Sequence, residues 1–258
     1  EVDAQNHLCR LVSDNEKFYN VTQRTCIDAT EAGKGIPEAS RRLSAEIANM
    51  EIMIGMKWEL TEPIQITRGS LQGGPWGPEE GTAAGEIIYR LRERGSTGYI
   101  TSGGTHVTSA CVVDDAYHYG NGVQELAQIV AELSEGSLGT GIGYAADKLG
   151  AYASDWDEHW ENMAAKGIPI SADHIDIKCW DIWRGGIITH CIPRVREDQT
   201  GKMLGKVTSV KDGHTAQQKR TMDTLKLLRA TVNTKSATWD ELTTYIRMVI
   251  QGHVTMRH

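Results

Sequence analysis

A chain of 258 residues, 40% of them hydrophobic, is long enough to bury one sizeable core and sits near the upper edge of what a single core supports. Its formal net charge of -7, with no basic run interleaved with aromatics, excludes general nucleic-acid binding. No stretch of about eighteen apolar residues occurs, which excludes a membrane-spanning helix.

The charge is unevenly spread: residues 201–258 hold ten Lys/Arg against four Asp/Glu, so the acidic excess lies in the first 200. The start at Glu1 lacks the basic and apolar runs of an intact signal peptide and fits a processed, secreted chain. Cys9, Cys26, Cys111, Cys179 and Cys191 are too few and too far apart for a disulfide scaffold, and no CxxC pair marks a structural zinc site. In an oxidising compartment, a Cys9 to Cys26 bridge and glycosylation at Asn20-Val21-Thr22 are the expected modifications.

Residues 1–35 show no sustained periodicity. Pro37 then opens an amphipathic pattern, Leu43, Ile47, Met50 and Ile54, which predicts a helix to about Met56. The segment from Trp58 to Arg68 is extended and broken at Pro63, and Gly69 to Gly81, with Trp76 inside it, is a long loop. A helix over Ala83 to Arg94 leads to a strand from Gly98 to Thr101, and Val123, Leu126, Val130 and Leu133 mark a further helix ending by Gly136.

Leu149, Tyr152, Trp156, Trp160 and Met163 predict a long helix over Tyr144 to Ala165, followed by a strand from Ile175 to Trp180. Ile187 to Ile192 and Met203 to Val210 read as the arms of a hairpin, and helices over Thr215 to Ala230 and Ala237 to Ile250 close the chain. The order predicts an α+β class: one mixed domain with a small, mostly antiparallel sheet, several packed helices and a basic helical region from about 212 to 258.

Chemistry concentrates in Gly104 to Glu125, where His106, His118, Asp114, Asp115 and Glu125 lie on a strand-loop-helix passage. Imidazole and carboxylate are natural ligands for zinc or another divalent metal, and three protein ligands leave a position open for water. Further donors lie downstream in Asp173, His174, Asp176 and Cys179. If His174 and Asp176 share a strand face, one is a ligand and the other its orienting carboxylate.

The pieces ITSG at Ile100 to Gly103, AYHYGNGVQE at Ala116 to Glu125 and SADHIDIKC at Ser171 to Cys179 resemble the LAS-type zinc peptidases, which include D-Ala-D-Ala carboxypeptidases, phage endolysins and the hedgehog signalling domain. The resemblance implies His118 as first ligand, Glu125 in place of the family's aspartate as second, and a third near His174 or at Cys179. It also implies Asp176 and Asp173 as the catalytic acids and cleavage of a peptide or amide bond by metal-bound water. Separately, Gly104-Thr105-His106-Val107 is similar to the metal motif of the kynurenine formamidase and cyclase family, with Ser102 and Thr108 where that motif has a histidine and an aspartate.

Two other classes stay open. Asp155, Asp157, Glu158, His159 and Glu161, between and beside Trp156 and Trp160, suit a glycoside hydrolase or lyase with a small-molecule substrate. A non-enzymatic interaction protein instead predicts an exposed apolar patch that includes Trp180 and Trp183.

Overall fold

The computed structural model describes residues 7–16, 18–49, 51–56, 59–65, 69, 77–95, 98–101, 103–112, 115–197, 199, 201–203, 206–208, 219, 222, 223 and 226. The chain divides into two compact units, Glu1–Arg196 and Glu197–His258, and every sequence-predicted site residue lies in the first.

Its elements begin with β1 (Leu8–Asp14), α1 (Phe18–Val21), α2 (Arg24–Gly33) and α3 (Glu38–Ala48). Four two-residue strands follow, β2 (Glu51–Ile52), β3 (Gly55–Met56), β4 (Glu59–Leu60) and β5 (Ile64–Gln65). Next come α4 (Gly77–Gly95), β6 (Tyr99–Ile100), β7 (His106–Val107), β8 (Ser109–Val112), β9 (Asp115–Asn121) and α5 (Gly122–Thr140). The unit closes with β10 (Gly150–Ala153), α6 (Trp156–Ala165), β11 (His174–Asp181) and β12 (Gly186–Pro193). In the second unit, β13 (Gly201–Met203) pairs with β14 (Lys206–Thr208) in an antiparallel hairpin. The class is α+β, as the order of helical and extended patterns predicts.

The main sheet has the order β10-β1-β9-β8, antiparallel throughout. Period-two alternation turns Cys9, Leu11 and Ser13 of β1 and Ala116, His118 and Gly120 of β9 to the buried face, with Leu11 opposite His118. Helix α5 packs on β1, β9, α4 and β11. Its Val123, Leu126, Ile129, Val130 and Leu133 are all buried, and each such side chain contributes about 1.5–3 kcal/mol relative to exposure.

At the far end of α5, Gly136 lets α4 approach: a Cβ there would stand 3.1 Å from Ile88 Cγ1. The helix stops at Gly141, whose left-handed φ of 70° lets its N–H reach the Ser137 carbonyl. Under the same interface lies Arg92, fully buried, which donates to Glu132 Oε2 at 2.5 Å and to the Tyr119 carbonyl at 3.2 Å.

Three expectations are corrected. The predicted helix over Tyr144 to Ala165 is a 3-10 turn, strand β10 and then α6. All four β10 residues are buried: Cys9 to Val12 pair with one edge, Val195 N–H donates to the Ala151 carbonyl at 2.7 Å on the other, and α5 and β12 pack against the strand. A strand enclosed on both faces shows no alternation, and Ala-rich GAYA merges with the helical spacing that follows.

The second correction concerns pairing. Among the described residues, β12 pairs along its whole length with β11. Asp181 supplies the turn instead, its carboxylate accepting the Trp183 and Arg184 N–H groups at 2.8 and 3.0 Å. The helix opened by Pro37 is also shorter than its pattern, ending at Ala48. Trp76 and the predicted helix over Ala237 to Ile250 lie outside the described residues, as does most of the one over Thr215 to Ala230.

Removing Arg92 leaves the Glu132 carboxylate without its buried partner. Arg92→Ala therefore costs about 3–5 kcal/mol in urea unfolding, whereas replacing both residues by apolar ones of similar size returns most of that loss. A single-variant loss within experimental error of zero contradicts this role.

Candidate metal centre

Strand β11 reads His174-Ile175-Asp176-Ile177-Lys178-Cys179, alternating polar and apolar. Ile175, Ile177 and Cys179 are fully buried on the face toward the core, so His174 and Asp176 stand together on the opposite face. Register then places Cys191 of β12 directly across from Asp176. Ligand atoms of His174, Asp176 and Cys191 all lie within 4.8 Å of one another, and this trio could hold a metal ion.

A tetrahedral zinc shell with bonds of about 2.0–2.3 Å sets its donors roughly 3.3–3.8 Å apart, so the three side chains need only a small inward shift. Their exposure favours that shift: His174 and Asp176 side chains are 40% and 37% exposed, and Cys191 is exposed.

The histidine is oriented by the loop in front of it. Ser171 Oγ lies 2.8 Å from His174 Nδ1 and 3.3 Å from the His174 carbonyl, and it accepts the Asp173 and His174 N–H groups at 3.3 and 3.2 Å. His174 Nε2 lies 3.7 Å from Asp176 Oδ1, and a ring that ligates a metal through Nε2 would carry its proton on Nδ1, toward Oγ. Ser171 is itself held: the buried Trp156 indole donates to its carbonyl at 2.9 Å, and Ser171 N–H reaches the His174 carbonyl at 2.8 Å. Slight desolvation, followed by the Asp176 carboxylate, raises the Cys191 thiol above its ordinary pKa.

The other sequence-predicted donors are placed differently. Cys179 belongs to the same strand but to the buried face, where desolvation raises its pKa. His118 is 1% exposed on β9, its Nε2 3.1 Å from Ser13 Oγ, and its Nδ1 has no hydrogen-bond partner among the described residues. Both Glu125 oxygens accept backbone N–H groups, from Gly98 at 2.9 Å and Asn121 at 2.6 Å. They thereby tie the start of α5 to the chain ahead of β6. His106 is exposed on the two-stranded sheet of β6 and β7. Asp173 is exposed, 3.9 Å from Arg196, and its carbonyl accepts the Arg194 N–H at 2.7 Å.

Among the described residues, then, the structure brings His174 and Asp176 together with Cys191, not with His118 and Glu125. The signal that finds Cys191 is register: once the hairpin pairs 174–181 with 186–193, it faces Asp176.

The acidic residues around Trp156 divide in the same way. Asp155 is 5% exposed and accepts Val123 N–H at 2.8 Å, capping α5 from outside that helix. Asp157 is clamped by both Arg194 terminal nitrogens at 2.5 and 2.7 Å, which holds its carboxyl below the usual range. Of the tryptophans named for an interaction patch, Trp183 is 71% exposed, with its indole donating to Glu16 at 3.1 Å.

No protein-family model matches the chain, and no curated protein sequence matches it.

Burial, followed by the neighbouring Arg92 charge, holds the His118 pKa down to about 3. Unfolded, the same imidazole titrates near ~6.5, so between roughly pH 6.5 and 3 the unfolded chain binds one more proton and stability falls as pH falls. Urea unfolding from pH 7 to 4 should show a slope about 1.4 kcal/mol per pH unit steeper in the natural chain than in His118→Gln. Parallel slopes rule out this assignment.

Proposed function

We propose that the chain binds one divalent transition-metal ion, zinc by its donor chemistry, through His174 Nε2, Asp176 and the Cys191 thiolate, and uses it to hydrolyse a peptide or amide bond. The observation that carries the reading is the mutual approach of these three donors within 4.8 Å on one face of the hairpin.

Three considerations support it. A mixed imidazole, thiolate and carboxylate set suits zinc over magnesium or calcium, which take oxygen donors. Ser171 Oγ holds the far ring nitrogen of His174 at 2.8 Å, as outer partners of metal-ligating histidines commonly do. Three protein donors on a solvent-facing surface leave a coordination position for water, whose pKa a bound zinc lowers to about 7. Asp173, adjacent to His174 in the chain, is the carboxylate assigned to proton transfer in this reading, with Asp176 spent on the metal.

Elemental analysis of chain purified without added metal should find one ion per chain. Cobalt loaded in its place should show thiolate charge-transfer absorption that disappears in Cys191→Ser. Ser171→Ala should weaken the metal about 10- to 100-fold while leaving the fold intact by circular dichroism. A chelator should abolish cleavage of peptide and amide substrates, and zinc should restore it. Failure to take up metal sinks the whole reading, whereas stoichiometric metal without metal-dependent cleavage sinks the hydrolase.

A further inference from the structure

A cleft of about 680 Å³ runs between α6 and the first turn of α5, lined by none of the hairpin donors. One wall is a single stripe of α6. Asp155, His159, Asn162 and Lys166 recur at spacings of four, three and four, which puts them on one face. The facing wall is Asn121 to Gln124, where β9 passes into α5, together with His7.

The cleft's charges are not equivalent. Asp155 is already engaged: Oδ1 accepts the Val123 N–H at the positive end of α5, and Oδ2 lies so close to Gly122 that a Cβ there would come within 2.5 Å of it. Gly122, at φ 67°, is the residue that admits the carboxylate. His159 Nε2 stands 4.0 Å from Asp155 Oδ2 with its side chain 49% exposed. Lys166, at the C-cap of α6, makes no ion pair among the described residues, and its ammonium is exposed at that end of the wall.

Hydrogen-bonding capacity is also left over. His159, Asn162 and Gln124 present polar groups to the cleft that make no hydrogen bond to a neighbouring side chain among the described residues, whereas the Asn121 amide is turned to the Gly98 carbonyl at 3.2 Å. A helical rise of about 1.5 Å per residue separates Asp155 from Lys166 by roughly 16 Å along the axis. The result is an elongated polar trough with a cation at one end and amide and imidazole groups along its length. Among the described residues, no aromatic side chain lines it apart from the two imidazoles.

We propose that this cleft is a second binding site, independent of the metal centre. It takes a small elongated ligand with an anionic group, phosphate or carboxylate, at Lys166 and with hydroxyl or amide groups along His159, Asn162 and Gln124. The exposed cation fixes one end of the ligand, and the unspent polar groups read the rest.

Two-dimensional NMR titration of the full chain with inorganic phosphate, acetate and glucose 6-phosphate tests this. Saturable shifts are expected at Lys166, Asn162 and Gln124, the tighter of the two simple anions identifying the anionic group. The sugar phosphate should bind about tenfold or more tightly than inorganic phosphate, since its hydroxyls add hydrogen bonds. Lys166→Ala should weaken every anion about tenfold, the loss of one charge-assisted contact. Asn162→Ala should weaken the sugar phosphate alone. Both positions are exposed, so the variants keep the fold. Cys191→Ser, which removes a metal donor, should leave all three affinities unchanged. Unsaturable shifts, anion binding indifferent to Lys166→Ala, or binding that vanishes in Cys191→Ser each overturns the proposal.

Discussion

The burial of α5 is the constraint on which the rest of the unit depends. The helix is packed by the main sheet, by α4 and by β11, so most of its surface is taken from water. A helix buried this way cannot leave its terminal N–H and C=O groups to solvent, and each end must be satisfied by protein. Asp155 and Glu125 supply acceptors at the first turn, and Ser137 and Gly141 close the last. Ser137 also links outward: its hydroxyl donates to the Ile142 carbonyl and accepts the Trp180 N–H, which joins the end of α5 to the hairpin.

That requirement explains residues that look chemical in the sequence. The inward positions of β9 are Ala116, His118 and Gly120, a set with no apolar signature. Gly120 is small because the Glu125 carboxyl fills the space where a Cβ would stand, with atoms at 2.7 to 2.9 Å. His118 lies beneath α4, its ring 6.3 Å from that of Tyr89, and Arg92 passes close by. Carboxylates, imidazole and guanidinium are concentrated here because a buried helix start and a buried cation need partners. The same residue types at the same spacing therefore read as a metal motif.

What was legible in the sequence follows from how each element meets its surroundings. The apolar period of α5 and the alternation of β11 were visible because each has one face with a single environment. β10 was not, since enclosure on both sides erases alternation. β1 was hidden by Ser13 and Asp14, polar residues that the fold buries, Asp14 through Lys148 at 2.6 Å. Within the candidate site, His174 and Asp176 could be found from period two alone. Cys191 could not, because its place beside them depends on which strand β12 pairs with, a contact between distant positions rather than a local pattern.

The division of the hairpin into two faces also governs how this protein is free to change. Positions 175, 177, 179 and 192 are held by the core and accept only residues of nearly the same shape. Positions 174, 176 and 191 project the other way and owe the core nothing. Drift at these three can alter, exchange or erase the donor set while the scaffold persists. Two descendants of one such ancestor could share every buried side chain and still differ in the donor groups they present.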